Sequence, residues 1–311
     1  MLGRTAGGLF WMFRYLERAE NTARLIEAGF RIALTRPGAD EWGSVLKTAG
    51  AAAGYTEVHG ALSQSAAIDY MLRDGANPSS VMCCYASARQ NARMVRTAIT
   101  REVWEAVNDT YLTLKARLAR PVPDKDLPEM LGLIRQQSAL VRGALHGSMM
   151  RDDTFDFCRL GTFLERADNT ARILDVKYYV LLPSFTHVGS KLDNVQWEVV
   201  LRSVAGARAF AWLNRGEVTA RGVTDFLVFD PRMPRSLRFA MSKIQGNLNM
   251  LEADYMDRHA AHDLADAMDA DLRRLNVDTV FDAGLHDFLS DFLDRVGALA
   301  RAIETDYRFA A

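Results

Sequence analysis

Leu16-Glu17-Arg18-Ala19-Glu20-Asn21-Thr22-Ala23-Arg24 occurs twice in this chain. It returns as Leu164-Glu165-Arg166-Ala167-Asp168-Asn169-Thr170-Ala171-Arg172, and the exchange of Glu20 for Asp168 is the one difference. Duplicated core segments ordinarily keep their apolar pattern and lose their polar identity. Here the charged residues have stayed, so these two stretches are the first place to look for chemistry. At helical pitch, Glu17 shares a face with Arg14, Glu20, Asn21 and Arg24, while Leu16, Ala19, Ala23 and Ile26 fall opposite. In the second copy Glu165, Asp168, Asn169 and Arg172 form the charged face, and Arg18 and Arg166 stand at the boundary between faces. Glu20 to Arg24 and Asp168 to Arg172 are i,i+4 pairs with the acid first, the favourable order, each contributing about 0.2–0.5 kcal/mol.

A solvated face would need only the sign of each charge. Lys would then serve as well as Arg, and Gln as well as Asn. Arg18, Asn21 and Arg24 nevertheless recur as the same residue types. Arginine in place of lysine matters where a planar fork must meet a carboxylate or phosphate. Three readings follow. In the first, Glu17, Arg24, Glu165 and Arg172 converge in a polar cleft that binds a carboxylate or phosphate, with Glu17 or Glu165 as a general base. In the second, acids and arginines lock each other into a buried network that fixes the fold. In the third, the face is solvated and salt-bridged. Glu17-x-x-Glu20 and Glu165-x-x-Asp168 lack the Glu-x-x-His partner of di-iron bundles, so no metal is expected.

Outward from the motif, helix dominates, with apolar residues recurring at helical spacing. Helices are expected over 5–34, 41–53, 58–72, 80–117, 127–146, 153–182, 193–202, 206–213, 218–227, 234–258, 260–275 and 278–305. Arg36-Pro37-Gly38, Asp74-Gly75-Ala76-Asn77-Pro78, Pro121-Val122-Pro123 and Pro183 punctuate them. Val223 to Phe229 is the most strand-like piece. The long helix over 80–117 carries Arg89, Arg93 and Arg96 on one face, an anion or acidic-partner site unless acids oppose them. Trp104 and Tyr111 are spaced as core anchors. Beyond the motif, the segment through Asn77-Pro78-Ser79-Ser80 resembles that through Met233-Pro234-Arg235-Ser236, which extends the duplication into a pseudo-twofold helical bundle with halves at 1–123 and 124–311.

The bulk numbers fit a globular protein with a sizeable core: 311 residues, 49% hydrophobic and 25% charged. The net charge of -1 supplies no overall field for nucleic acid or an acidic membrane. Three cysteines, Cys83, Cys84 and Cys158, make neither a disulfide framework nor a zinc cluster. His59, His146, His187, His259, His262 and His286 show no ligand spacing, and His259 and His262 read as a solvated pair. No apolar run approaches the length of a membrane span, and no signal peptide is evident, so the cytoplasm is the expected location.

Arg14-Tyr15-Leu16-Glu17-Arg18-Ala19-Glu20-Asn21-Thr22-Ala23-Arg24-Leu25 resembles the opening signature of the alpha-E family. So do the second copy and Ser87-Ala88-Arg89-Gln90-Asn91-Ala92-Arg93 with Val95-Arg96 and the following Ile99-Thr100-Arg101-Glu102-Val103-Trp104-Glu105. Thr162 stands where Arg14 stands in the first copy, so any Arg14 role is not doubled. The resemblance implies an all-helical bacterial protein that works beside a circularly permuted ATP-grasp ligase and a transglutaminase-like peptidase. It implies a part in making or processing an amide-linked peptide; separately, no cofactor is expected.

The expected protein is therefore all-α and internally duplicated. It is expected to be an accessory or binding component that presents an Arg/Glu cleft to a peptide substrate or to the ligase. Its expected ligand-binding residues are Arg14, Arg18, Glu20, Asn21, Arg24, Arg166, Asp168, Asn169, Arg172, Arg89, Arg93 and Arg96. The alternatives are an enzyme using Glu17 or Glu165 as acid/base with Arg24 or Arg172 holding a carboxylate, and a scaffold with an internal ionic network.

Overall fold

The first motif copy lies in the middle of α1 (Gly3–Thr35) and the second in the middle of α8 (Asp153–Val180). A computed structural model describes residues 1–35, 41–180, 191–214 and 218–310 of the chain. α1 and α8 pack against each other along their length. Gly161 makes the close approach: a Cβ there would collide with the Phe10 carbonyl of α1.

Each of these helices is the inner member of a four-helix group. α5 (Val81–Met94), α6 (Arg101–Arg117) and α7 (Leu127–Ser148) close a ring with α1: α5 and α7 both lie on it, and α6 joins them. α12 (Leu237–Tyr255), α13 (Ala260–Arg274) and α15 (Leu285–Asp306) close a second ring with α8 in the same order. Shorter helices flank the pair: α2 (Glu41–Thr48), α3 (Ala52–His59), α4 (Gln64–Leu72), α9 (Lys191–Ser203), α10 (Ala207–Leu213), α11 (Ala220–Thr224) and α14 (Val277–Ala283). The described residues contain no strand. Among them no helix is long and apolar enough to cross a membrane.

Contact on every side explains why the charged face of α1 is not solvated. Leu16, Ala19, Ala23 and Ile26 are buried, and so are Glu17, Glu20 and Asn21 on the face opposite.

Five expected elements change on folding, one of them the helix expected over 58–72, which starts only at Gln64 after a break at Gly60 (φ 67°). The helix expected over 41–53 is interrupted at Gly50, whose φ of 66° suits glycine. The helix expected over 80–117 is two helices. α5 stops at Met94, and Thr100 starts α6 by accepting from the Val103 N–H (3.3 Å) while hydrogen-bonding Ser148 (2.6 Å). Arg89 and Arg93 therefore belong to α5, and Arg96 to the turn after it. Gly284, at φ 104°, divides the helix expected over 278–305 into α14 and α15. The strand-like Val223 to Phe229 ends α11 and continues as the π-helical turn Asp225–Phe229. Its apolar run reflects burial of Phe226, Leu227, Val228 and Phe229 together, a pattern that a buried strand shares. The Pro183 end of α8 lies outside the described residues.

The first turn of α8 holds a second charged cluster. Burial pushes the Asp156 carboxyl up to about 7, reinforced by Asp254, Asp152 and Asp153 and opposed by Arg159. An acid whose folded-state pKa lies above its unfolded value keeps its proton in the fold where the unfolded chain releases it. Stability is therefore lost as pH rises from about 4 through about 7. The melting temperature should fall between about pH 5 and about pH 8, and Asp156→Asn should flatten that decline. Thermal unfolding across this range checks it; an unchanged slope in the variant contradicts the assignment.

Candidate functional site

Glu and Arg are neighbours in both motif copies, about 100° apart around their helices. The fold uses that offset twice. Arg166 of α8 grips Glu17 of α1 with two hydrogen bonds, Nε to Oε1 at 3.0 Å and an Nη to Oε2 at 2.9 Å. Arg18 of α1 grips Glu165 of α8 in the same way, Nε to Oε1 at 2.5 Å and an Nη to Oε2 at 2.9 Å. The two helices thus exchange equivalent partners across their interface. Such bidentate, charge-assisted pairs need the planar guanidinium, which accounts for arginine at both positions.

Around Glu17 the cluster is closed. Arg235, from the turn before α12, donates to Glu20 Oε1 (3.0 Å) and Asn21 Oδ1 (2.8 Å) and stands 3.1 Å from Glu17 Oε1. Glu20 also accepts from Arg24 at 2.7 and 3.0 Å and pairs with Arg142 of α7. The Arg235 backbone carbonyl accepts from Thr170 (2.9 Å), tying the turn to the second motif. Burial alone would push the Glu17 carboxyl up. The Arg166 and Arg235 guanidiniums outweigh it and hold Glu17 well below the usual carboxylate range. Burial and Glu17 likewise raise Glu20, but Arg235, Arg142 and Arg24 prevail. Glu165 is raised by burial and lowered further by Arg18 and Arg14. Both carboxyls are held below the usual carboxylate range by the arginines bonded to them, which makes them poor proton acceptors and disfavours the acid/base roles considered for them.

Around Glu165 the cluster opens. Arg14 adds one bond to Glu165 (3.0 Å), and Asp168 pairs with Arg172 at 2.7 and 3.0 Å. Beyond them a groove of about 430 Å³ runs between the motif helices, the 48–51 turn and the turn before α5. Arg14, Arg18, Asn21, Glu165, Asp168, Asn169 and Arg172 border it, with Ser79 and Asn77 on the far wall. Among the described residues the Asn169 side chain has no hydrogen-bond partner, and the buried Asn21 Nδ2 has none either.

The expected site residues therefore separate. Arg14, Arg18, Asn169, Asp168, Glu165 and Arg172 share the groove. Glu17, Glu20 and Arg166 lie in the closed cluster, and Asn21 bridges the two. Arg24 turns away to border another depression, of about 420 Å³, with Arg31, Arg135, Arg202 and Arg208. A single cleft holding Glu17, Arg24, Glu165 and Arg172 does not form. Arg89, Arg93 and Arg96 are elsewhere. Arg89 donates to Asn108 (2.9 Å) and lies over Tyr111, Arg96 lies over Trp104, and Arg93 is exposed. The break after Met94 takes Arg96 off the face that Arg89 and Arg93 still share on α5.

Sequence reasoning missed Arg142 and Arg235, because neither falls in a motif. The available signal for Arg235 was its place just before Ser236, matching Ser79 before Ser80. His262 is not solvated either: it is buried, and its Nε2 donates to the Leu248 carbonyl (3.1 Å). Cys84 is an inert core thiol, pushed up to about 12 by burial. Among the described residues no group of three His, Cys, Asp or Glu side chains is placed to hold a metal ion.

Fold and site together define an all-helical domain built on two buried Glu-Arg exchanges. The chain belongs to the Alpha-E family, whose model matches residues 1–307 and is described as a predicted alpha-helical domain with a conserved ER motif. The Glu-Arg dipeptide occurs in this chain at Glu17-Arg18 and at Glu165-Arg166. Neither curated proteins nor solved structures give a match.

The two clusters should respond differently to mutation. Arg235→Ala removes the guanidinium that Glu17, Glu20 and Asn21 share in the interior and should cost about 2–3 kcal/mol. The Arg172 side chain is 42% exposed, so Arg172→Ala should cost under about 1 kcal/mol. Urea denaturation of both variants measures the contrast, and similar losses would contradict it.

Proposed function

We propose that this chain is a non-catalytic, peptide-binding component of an ATP-grasp-linked system that forms or processes amide bonds. The observation that carries this reading is the groove's mixed lining with unused hydrogen-bonding capacity. Arg18 and Arg172 offer donors for a carbonyl or carboxylate, and Asp168 and Asn169 offer acceptors for an amine or amide. A peptide presents both kinds of group at once. The arginine-locked glutamates favour binding over acid/base catalysis. The ATP-grasp ligase and the transglutaminase-like protein, as partners, rest on the family resemblance, as does a bacterial, cytoplasmic setting where ATP is at hand.

The same reading extends to the chain's history. We propose that two copies of one four-helix unit gave rise to it. The matching order of the two rings supports this, and counting α7 with the first ring puts the proposed division after Ser148, where the sequence alone suggested 123. The closed cluster then serves as scaffold for the open one, which gives the scaffold alternative half of the molecule.

Reconstitution with the ATP-grasp ligase tests the proposal. Arg172→Ala and Asn169→Leu should each lower product formation at least about tenfold, the loss expected when a charge-assisted contact is removed. Co-elution with the ligase and melting temperature should stay as in the wild type. Undiminished product with both variants, or full ligase activity without this chain, would overturn it.

A further inference from the structure

The open groove has a filled counterpart within the same molecule. Two turns with the same hydrogen bonds precede α5 and α12. In the first, Ala76 N–H donates to Asp74 Oδ1 (2.8 Å), Ser80 N–H donates to the Asn77 carbonyl (2.9 Å), and the Ser80 hydroxyl caps α5 at Cys83 (3.3 Å). In the second, Arg232 N–H donates to Asp230 Oδ1 (2.8 Å), Ser236 N–H donates to the Met233 carbonyl (2.9 Å), and the Ser236 hydroxyl caps α12 at Phe239 (3.0 Å). The bonds correspond position for position. Ser79 and Arg235, each just ahead of the capping serine, are therefore structural equivalents. α5 lies on α1 and α12 on α8, so each turn faces the motif of the opposite helix.

Arg235 spends its guanidinium on Glu17, Glu20 and Asn21. The corresponding residues of the second motif are Glu165, Asp168 and Asn169, and all three border the groove together with Ser79. Where Arg235 fills the closed half, the short Ser79 leaves open space. The unmet demand is local. Glu165 has Arg14 as a substitute partner. Asp168 has one arginine, Arg172, where Glu20 has Arg24, Arg142 and Arg235. Asn169 has no partner among the described residues, where Asn21 has Arg235.

We infer that the groove receives a guanidinium group, the arginyl side chain of a peptide, which takes Asp168 and Asn169 as acceptors in the place Arg235 holds in the closed half. This rests on the reading of the groove as a peptide site and specifies the residue recognised. Charge balance permits it. The closed cluster sets Arg24, Arg142, Arg166 and Arg235 around Glu17 and Glu20. The open one sets Arg14, Arg18 and Arg172 around Glu165 and Asp168. One more guanidinium brings the second cluster to the balance the first already sustains. Arg235 bears that balance in the interior, where burial and Arg166 push it down to about 10 against the pull of Glu17 and Glu20. A ligand in the solvent-open groove meets less of that cost. An ammonium is a poorer fit, because Arg235 reaches its acceptors from two nitrogens of one rigid plane.

Calorimetric titration of the full chain with N-acetyl-arginine amide, N-acetyl-lysine amide and N-acetyl-citrulline amide tests this. The arginine probe should bind at least about tenfold more tightly than citrulline, which keeps the shape and loses the charge. Asp168→Asn and Asn169→Leu should each weaken it by a similar factor. Ser79→Arg should abolish binding and raise the melting temperature, because the chain then supplies its own guanidinium. Equal affinity for arginine and citrulline would overturn the guanidinium assignment and leave the peptide reading standing. So would unchanged arginine binding in a folded Ser79→Arg protein. Absence of binding by all three probes, while product formation still depends on Arg172 and Asn169, would overturn this inference alone. Absence of both would overturn the two together.

Discussion

Two helices in the middle of this protein hold each other by exchanging charges. Glu17 takes Arg166, and Glu165 takes Arg18, each through two hydrogen bonds in a largely buried interface. Both arrangements require adjacent Glu and Arg on each helix, with the acid of one facing the guanidinium of the other. Sliding α1 against α8 by a single residue would separate all four charges from their partners at once. Leaving one buried charge unpaired costs several kcal/mol, whereas the intact pair adds little net stability over an apolar one. The exchange therefore fixes relative position more than it adds cohesion. Cohesion comes from the apolar residues around it, such as Phe10, Phe13, Leu160 and Leu164, all of them buried.

The two four-helix rings follow from that fixed pair. Each ring needs one helix surrounded by its neighbours, and α1 and α8 take that role. A helix so enclosed has no solvent face on which to place charge, so its polar residues must find partners inside. Most do, through Arg142 of α7 and Arg235 before α12 on one side and through Arg14 and Arg172 on the other. Of the side chains on these two helices left with unpartnered groups, Asn21 and Asn169 lie at the groove, and Arg159, through its Nε, lies away from it on α8.

Much of this was legible in the sequence. The all-α class, most helix positions and the importance of the repeated nonapeptide came from helical periodicity, caps and the survival of Arg and Asn identity. The amphipathic wheel of the motif was misleading, because a helix buried on all sides can carry its ion pairs on one face and imitate a solvated helix. The break after Met94 escaped because Arg96 and Thr97 keep the composition of a helix, and only the Thr100 cap marks the restart. Arg235 and Arg142 escaped because ion-pair partners distant in the chain leave no spacing to read. The distinction between a closed and an open cluster was invisible in the motif itself, since it is decided outside it.

That last point bears on how a duplicated motif acquires two roles. The nonapeptides differ by one methylene, Glu20 against Asp168, and this difference alone would not empty a cavity of groove size. Ser79 opposite Arg235 does more, because it exchanges a long cation for a short hydroxyl at a position that faces the other motif. Arg14 opposite Thr162 compensates in part by keeping Glu165 neutralised from its own helix, so the exchange with Arg18 survives without a cation from the turn. Asp168 and Asn169 receive no such compensation. Changes outside the motif thus leave one copy bound to the protein's own arginine, where it sets the geometry. The other copy keeps that geometry and leaves its acceptors open to solvent.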